Sequence, residues 1–239
     1  MKRIIRNSDI EIIVESRLKE YESRNNKIKK PPIPIDRIIE DCNLNILYDT
    51  IKERPGEDIL GGLILEKRIV IINESHMQLF KEKPGLERFT KAHELGHWDI
   101  YLKEEGDKRT YFFEFFEDSE VVLNRNSRIG NVSVLNKAWI DEDVFQAYKE
   151  CQSRIDHPNV ASSVNRYASS LLMPKNLIMH YTSDKDLTMW KNIYNLAEIF
   201  EVTISAMCVR LQRLGLIFIK DRKIYRTKEE ANGQKTLNF

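Results

Sequence analysis

Cysteine is scarce in this chain. Cys42, Cys151 and Cys208 are the only three among 239 residues, and no two stand at CxxC spacing. An odd, scattered set argues against a disulfide framework and fits a reducing compartment, so a cytoplasmic location is expected. Long apolar runs are missing too. No stretch approaches the roughly 18 residues of a membrane span. The basic start, MKRIIR, leads into no apolar segment of the kind a secretory signal needs. Neither sign of charge is in excess. Lys and Arg number 38 and Asp and Glu 37, for a net charge of +1, so there is no overall field to attract nucleic acid, a membrane or acidic ligands. Any contact with DNA would need a local patch. Nine glycines and seven prolines exclude collagen-like and low-complexity architectures. What remains is 41% hydrophobic and 31% charged residues, enough for a packed core. The length fits one large domain, or one domain with a small appendage.

Apolar spacing predicts a helix over residues 9–23, with Ile10, Ile13, Val14, Leu18 and Tyr21 on one face and Ser8 or Asp9 as cap. The stretch NNKIKKPPIP excludes helix. Asp36 is expected to cap a short helix, RIIEDC. Residues 44–48 (LNILY) alternate like a strand. Residues 61–66 (GGLILE) and 68–73 (RIVIIN) read as a hairpin around Lys67-Arg68. Pro84-Gly85 is expected to break the chain ahead of a helix over residues 86–103. YFFEFF (111–116) and NVSVLN (131–136) read as strands, and residues 138–151 as a helix. Pro158 opens and Pro174 closes a helix through NVASSVNRYASSLLM. After a polar linker at 181–187 come two helices joined by a turn at Glu201-Val202, Gly215 as C-cap, and a hairpin around Asp221-Arg222. The last residues, 227–239, are expected to be a mobile tail. The fold class is therefore α+β, with a small antiparallel sheet beside helices.

One motif carries chemistry. HELGH occupies residues 93–97. Positions i and i+4 share a helix face, so His93 and His97 can offer ring nitrogens to one ion, with Glu94 beside them as general base. Zn2+ is the expected ion, because it takes imidazole readily and lowers the pKa of bound water to about 7. The bland alternative is an amphipathic helix with two surface histidines. Gly96 weighs against it: a mid-helix glycine costs about 1 kcal/mol relative to alanine, so a close approach of backbone or ligand is expected there.

The flanks extend the motif. The order RIVIIN, RFTKAHELGH, a long gap, NRYASSLLMP, then NLAEIF and RLQRLGLI resembles the ImmA/IrrE family of intracellular metallo-endopeptidases over about residues 35–103 and 158–219. The resemblance implies a zincin-like metallopeptidase domain over residues 1–180 and a helix-turn-helix or winged-helix-like module over 187–226. It implies cleavage or inactivation of a partner protein, such as a helix-turn-helix repressor or an antitoxin of a mobile element. His93 and His97 carry over as zinc ligands and Glu94 as base. The family's third ligand is a Glu four residues before the Asn of the N-R-Y-A run. Here that Asn is Asn165, and the position four earlier is Ala161, which cannot ligate. Three accounts stay open. The Glu has been replaced, leaving a weak two-histidine site. A residue of the 104–157 stretch substitutes, with His157, Asp156, Glu117 and Glu120 as candidates. Or the match is displaced in register. Asn165 would face the site from one turn away and orient a histidine; an ordinary polar helix position is the alternative. Tyr101, four after His97, would donate to an oxyanion or simply pack. The gap of 104–157 exceeds the family's usual length, implying an added lid or docking element.

His76 and His180 lie outside any motif and read as structural or surface residues. Arg210 and Arg213 follow the second turn, and Lys220, Arg222, Lys223 and Arg226 surround the hairpin. That set could meet DNA phosphates, but packing or protein docking is the favoured reading. The rival to a peptidase is a catalytically weakened regulator that binds a repressor or DNA through the same scaffold, a reading that Ala161 supports and the intact Glu94 opposes.

Overall fold

The computed structural model describes residues 7–53, 58–64, 67–105, 108–111, 121–125, 158–221 and 223–233. NVSVLN, the helix expected over 138–151, most of YFFEFF, and His157, Asp156, Glu117 and Glu120 lie outside them. The class is α+β, with small sheets among helices. No helix among the described residues is long and apolar enough to cross a membrane.

The helices are α1 (Asn7–Arg24), α2 (Ile35–Asp41), α3 (Met77–Glu82), α4 (Pro84–Tyr101), α5 (Pro158–Leu172), α6 (Lys175–Thr182), α7 (Trp190–Ile199), α8 (Ile204–Arg213) and α9 (Lys228–Ala231). The strands are β1 (Asn45–Asp49), β2 (Ile59–Ile64), β3 (Ile69–Asn73), β4 (Leu102–Glu105), β5 (Lys108–Tyr111), β6 (Val121–Arg125), β7 (Phe218–Lys220) and β8 (Lys223–Tyr225).

The main sheet has the order β1-β3-β2-β6. Strands β2 and β3 form the expected hairpin, with Gly62 opposite Ile71. The sheet is mixed, not antiparallel as expected, because β1 runs parallel to β3, with Leu47 opposite Ile71. The reason lies in residues 50–58. This connection joins antiparallel β1 and β2 at one end of the sheet but is too long for a tight turn. It leaves a gap one strand wide, and β3 fills it. Asn73 closes that end: its buried amide donates to the Ile59 carbonyl (2.7 Å), and its Oδ1 accepts from the Ile51 N–H (3.0 Å).

Helix α4 lies between this sheet and α5, buried from Thr90 through Trp98. Its start corrects the sequence reading. Pro84 and Gly85 form the first helical turn instead of a break, since proline lacks only an N–H that has no partner there anyway. Its end is earlier than expected. Leu102 and Lys103 leave the helix to pair with Tyr111 and Thr110, so strand pairing overrides helical propensity. Glycines set the spacing on both faces. A Cβ on Gly61 would come within 2.8 Å of Thr90 Cγ2, and one on Gly96 within 2.9 Å of both Tyr167 Cδ1 and Val164 Cγ1. Gly96 therefore serves a close helix–helix approach.

Helix α1 packs on α5 and also reaches α4. There Arg17 makes two hydrogen bonds to Asp99, at 2.9 and 2.5 Å, and Tyr167 donates to the same carboxylate. Asp36 sits within α2 instead of capping it, and pairs with Lys91 at 3.0 Å. Tyr181 and Thr182 belong to α6, so the linker after it is shorter than expected.

Helices α7 and α8 meet at Glu201, which takes a positive φ of 51°, and Thr203 caps α8 by accepting from Ala206 N–H (3.2 Å). Ile193, Phe200, Met207, Leu211 and Ile224 join the same buried cluster as Ile10, Leu95 and Tyr167. Arg210 is buried in that junction. It pairs with Glu11 through both terminal nitrogens and donates to the Met173 carbonyl (2.9 Å). The expected tail is partly built, since Thr227 caps α9 and Lys220 Nζ donates to Asn232 Oδ1 (3.1 Å).

Candidate metal centre

His93, Glu94 and His97 project from the middle of α4, where the helix is covered on both sides. They are 5%, 0% and 6% exposed. The i, i+4 spacing brings the two imidazoles together, with ring centroids 4.9 Å apart and Nε2 atoms 3.1 Å apart. Asn165 of α5 reaches across the Gly96 contact, and its Oδ1 lies 2.9 Å from His93 Nδ1. An amide oxygen only accepts, so the ring hydrogen sits on Nδ1 and the Nε2 lone pair of His93 points at His97.

Burial controls the protonation of all three. It holds the His93 imidazole down to about 4, with the Asn165 contact offsetting only part of the effect. It drives His97 well below the ordinary histidine range, helped by the neighbouring ring. It alone pushes the Glu94 carboxyl well above the carboxylate range. The imidazoles are therefore neutral, as metal ligands must be. Both Glu94 oxygens are buried without a hydrogen-bond partner among the described residues. Such a group is costly unless a cation or a polar ligand completes it.

These features fit zinc. Two Zn–N bonds at tetrahedral angles place their nitrogens about 3.3 Å apart, close to the 3.1 Å found. Among the described residues no third donor joins the two imidazoles. Ala161 stands in α5 one turn before Asn165, so it shares a helix face with Asn165 but brings no donor atom. Tyr101 is the last residue of α4; of both residues only the backbone is described.

Sequence reasoning missed two features. The first is a group of Glu53, Asp58 and His76, whose ligand atoms lie within 4.8 Å of one another. Here His76 Nε2 meets Glu53 Oε1 at 2.6 Å, and that same oxygen also takes Ile59 N–H and Asn73 Nδ2. With its best donor already occupied, the group reads as a tie across the end of the sheet. No local spacing announces it, since its members are 5 to 23 residues apart in sequence. The second is a cavity of about 340 Å³ bounded by α4, α5 and α8, with Leu60 of β2 also lining it. Asn165 is common to its wall and to the histidine pair.

No family model matches this chain, and no curated protein matches it either.

Proposed function

We propose that this chain is a zinc-dependent endopeptidase of the ImmA/IrrE type. It joins a zincin-like catalytic unit to a helix-turn-helix-like module, and acts in the cytoplasm on a partner protein of the repressor or antitoxin kind. The observation that carries the reading is Glu94: a fully buried carboxyl, both oxygens without a partner among the described residues, one residue after His93 on the helix where two imidazole nitrogens converge. A structural glutamate gains nothing from that place, whereas a general base needs it.

In this reading His93 and His97 hold the zinc, which when bound polarises the scissile carbonyl and acidifies water. Asn165 fixes the His93 ring by accepting from its Nδ1–H. Glu94 accepts a proton from the attacking water at a carboxylate oxygen and delivers it to the nitrogen of the leaving amine. Complete burial keeps bulk water from Glu94.

The test is metal content per chain, measured by elemental analysis before and after dialysis against a mild chelator. About one zinc retained after dialysis is expected. Little or none would move the reading to the alternative that Ala161 favours, a peptidase-fold regulator that binds its partner without cutting it. Contact with DNA is the less favoured form of that alternative, because Arg210, first among the candidate phosphate contacts, is buried against Glu11.

A further inference from the structure

The cavity beside the metal centre has a defined chemistry. Its α4 wall is Leu86, Phe89 and Thr90. The same helical face continues through His93 to His97, at steps of three or four residues. Its α5 wall is Asn165 and Ser169, one turn apart, and its α8 wall includes Val209 and Arg213, again one turn apart. Ser169 is 3% exposed, lines the cavity, and its hydroxyl has no hydrogen-bond partner among the described residues. Arg213 is exposed and, among the described residues, makes no ion pair or hydrogen bond. Its charge is disfavoured by burial of part of the side chain and by Arg166 and Arg210 nearby. Arg210 has its own carboxylate in Glu11; Arg213 has none among the described residues. Among the described residues, the site thus combines apolar walls, one buried orphan hydroxyl and one guanidinium lacking a counter-charge.

We propose that this cavity is a binding subsite for an acidic side chain of a peptide strand, with Arg213 pairing its carboxylate and Ser169 donating a further hydrogen bond. This deepens the peptidase reading and rests on it for the identity of the strand as substrate. Leu86, Phe89 and Val209 cover the aliphatic stem of the incoming Glu or Asp. From His93 back to Thr90 and Leu86 is about 5–10 Å along the helix. An extended peptide covers that in about two or three residues, so the acidic residue lies that far from the bond to be cut. Arg213 is then a specificity-determining residue.

The experiment uses the whole chain, metal-free, and reads binding without turnover. A capped pentapeptide, acetyl-Ala-Leu-Glu-Leu-Ala-amide, and its Gln counterpart are titrated into ¹⁵N-labelled protein and followed by NMR. The Glu peptide is expected to bind about tenfold or more tighter, as a charge-assisted pair requires, and to shift Thr90, Asn165, Ser169 and Val209. Arg213→Gln should erase the preference, and Arg213→Lys should keep part of it. Equal binding of the two peptides overturns the proposal, as do shifts confined to other surfaces. Inorganic phosphate and a short DNA duplex are run as competitors. If either displaces the Glu peptide at matched concentration, the cavity is a general anion or phosphate site and the proposal fails. A charge preference without cleavage in the zinc-loaded protein would sink the peptidase reading and leave the subsite standing. Cleavage without preference does the reverse.

Discussion

Gly85 offers a test of how the α7–α8 pair is joined to α4, because the two relevant effects have opposite signs. In an exposed helix, replacing glycine by alanine stabilises by up to about 1 kcal/mol. Here a Cβ would stand 2.6 Å from the Val202 carbonyl carbon and 2.7 Å from the Thr203 nitrogen. Ordinary contact begins near 3.4 Å, so about 0.8 Å of movement is demanded of backbone on both sides. Neither side yields easily: one is the first turn of α4, and the other is the turn that Thr203 caps. Overpacking of this kind costs about 1–3 kcal/mol. Set against the gain in propensity, Gly85→Ala should lose about 1–2 kcal/mol. For a chain of this size that lowers Tm by about 2–8 °C. Urea denaturation followed by circular dichroism gives the free energy, and hydrogen exchange locates the change in α7 and α8. An unchanged or raised Tm would refute the reasoning and mean that the two helices are not held against α4 at that point.

Three further outcomes are expected. Ala161→Glu should tighten zinc by restoring a donor one turn before Asn165, read by competition with a chromophoric chelator; unchanged affinity would show that position 161 does not face the ion. Glu94→Gln should abolish cleavage yet make the metal-free protein more stable at neutral pH, because the buried carboxyl must otherwise be held protonated above its usual range; equal or lower stability would mean that Glu94 is not strained in the metal-free fold. Glu11→Gln concerns acid. Burial pushes the Glu11 carboxyl up, but Arg210, with Ser170 and Lys175, outweighs it and holds the group below its ordinary value of 4.5. The folded state therefore binds fewer protons than the unfolded one in that window. The stabilisation is present above pH 4.5 and is lost as pH falls through the lowered value. The variant should be less stable at pH 7 and should show a flatter loss of stability below about pH 4.5 than the parent; identical acid limbs would exclude the pair from acid denaturation.

The legible parts of the fold were those whose signals are local. Pro158 and Pro174 bracket α5, the turn at Glu201-Val202 separates α7 from α8, and β2 and β3 are neighbours in sequence, so apolar period and turn position suffice. The histidine pair was legible for the same reason, since a four-residue step is a property of one helix. The parallel pairing of β1 with β3 was not, because a strand's partner across a long connection leaves no mark in either strand's composition. The end of α4 was missed because Leu102 and Lys103 suit a helix until Thr110 and Tyr111 offer backbone partners. The subsite was invisible for a third reason. Asn165 was read toward the histidines and Arg213 toward phosphates, Ser169 looks like an ordinary polar position, and only packing reveals that Ser169 is enclosed and that Arg213, among the described residues, lacks the carboxylate that Arg210 has.

The pairing of Glu11 with Arg210 also has a consequence in time. The two residues are 199 positions apart, and α1 otherwise rests on α5, itself far along the chain. At translation rates of about 5–20 residues per second, α1 leaves the ribosome about 10–40 s before Arg210 is made. Until α5 is made, for most of that interval, Ile10, Val14 and Tyr21 lack the helix that α1 chiefly rests on, and closing so long a loop is among the costliest steps entropically. Helix α1 is thus expected to dock late, as a clasp on a core assembled without it. A nascent chain stalled before α5 is made should leave α1 open to proteolysis or to a chaperone.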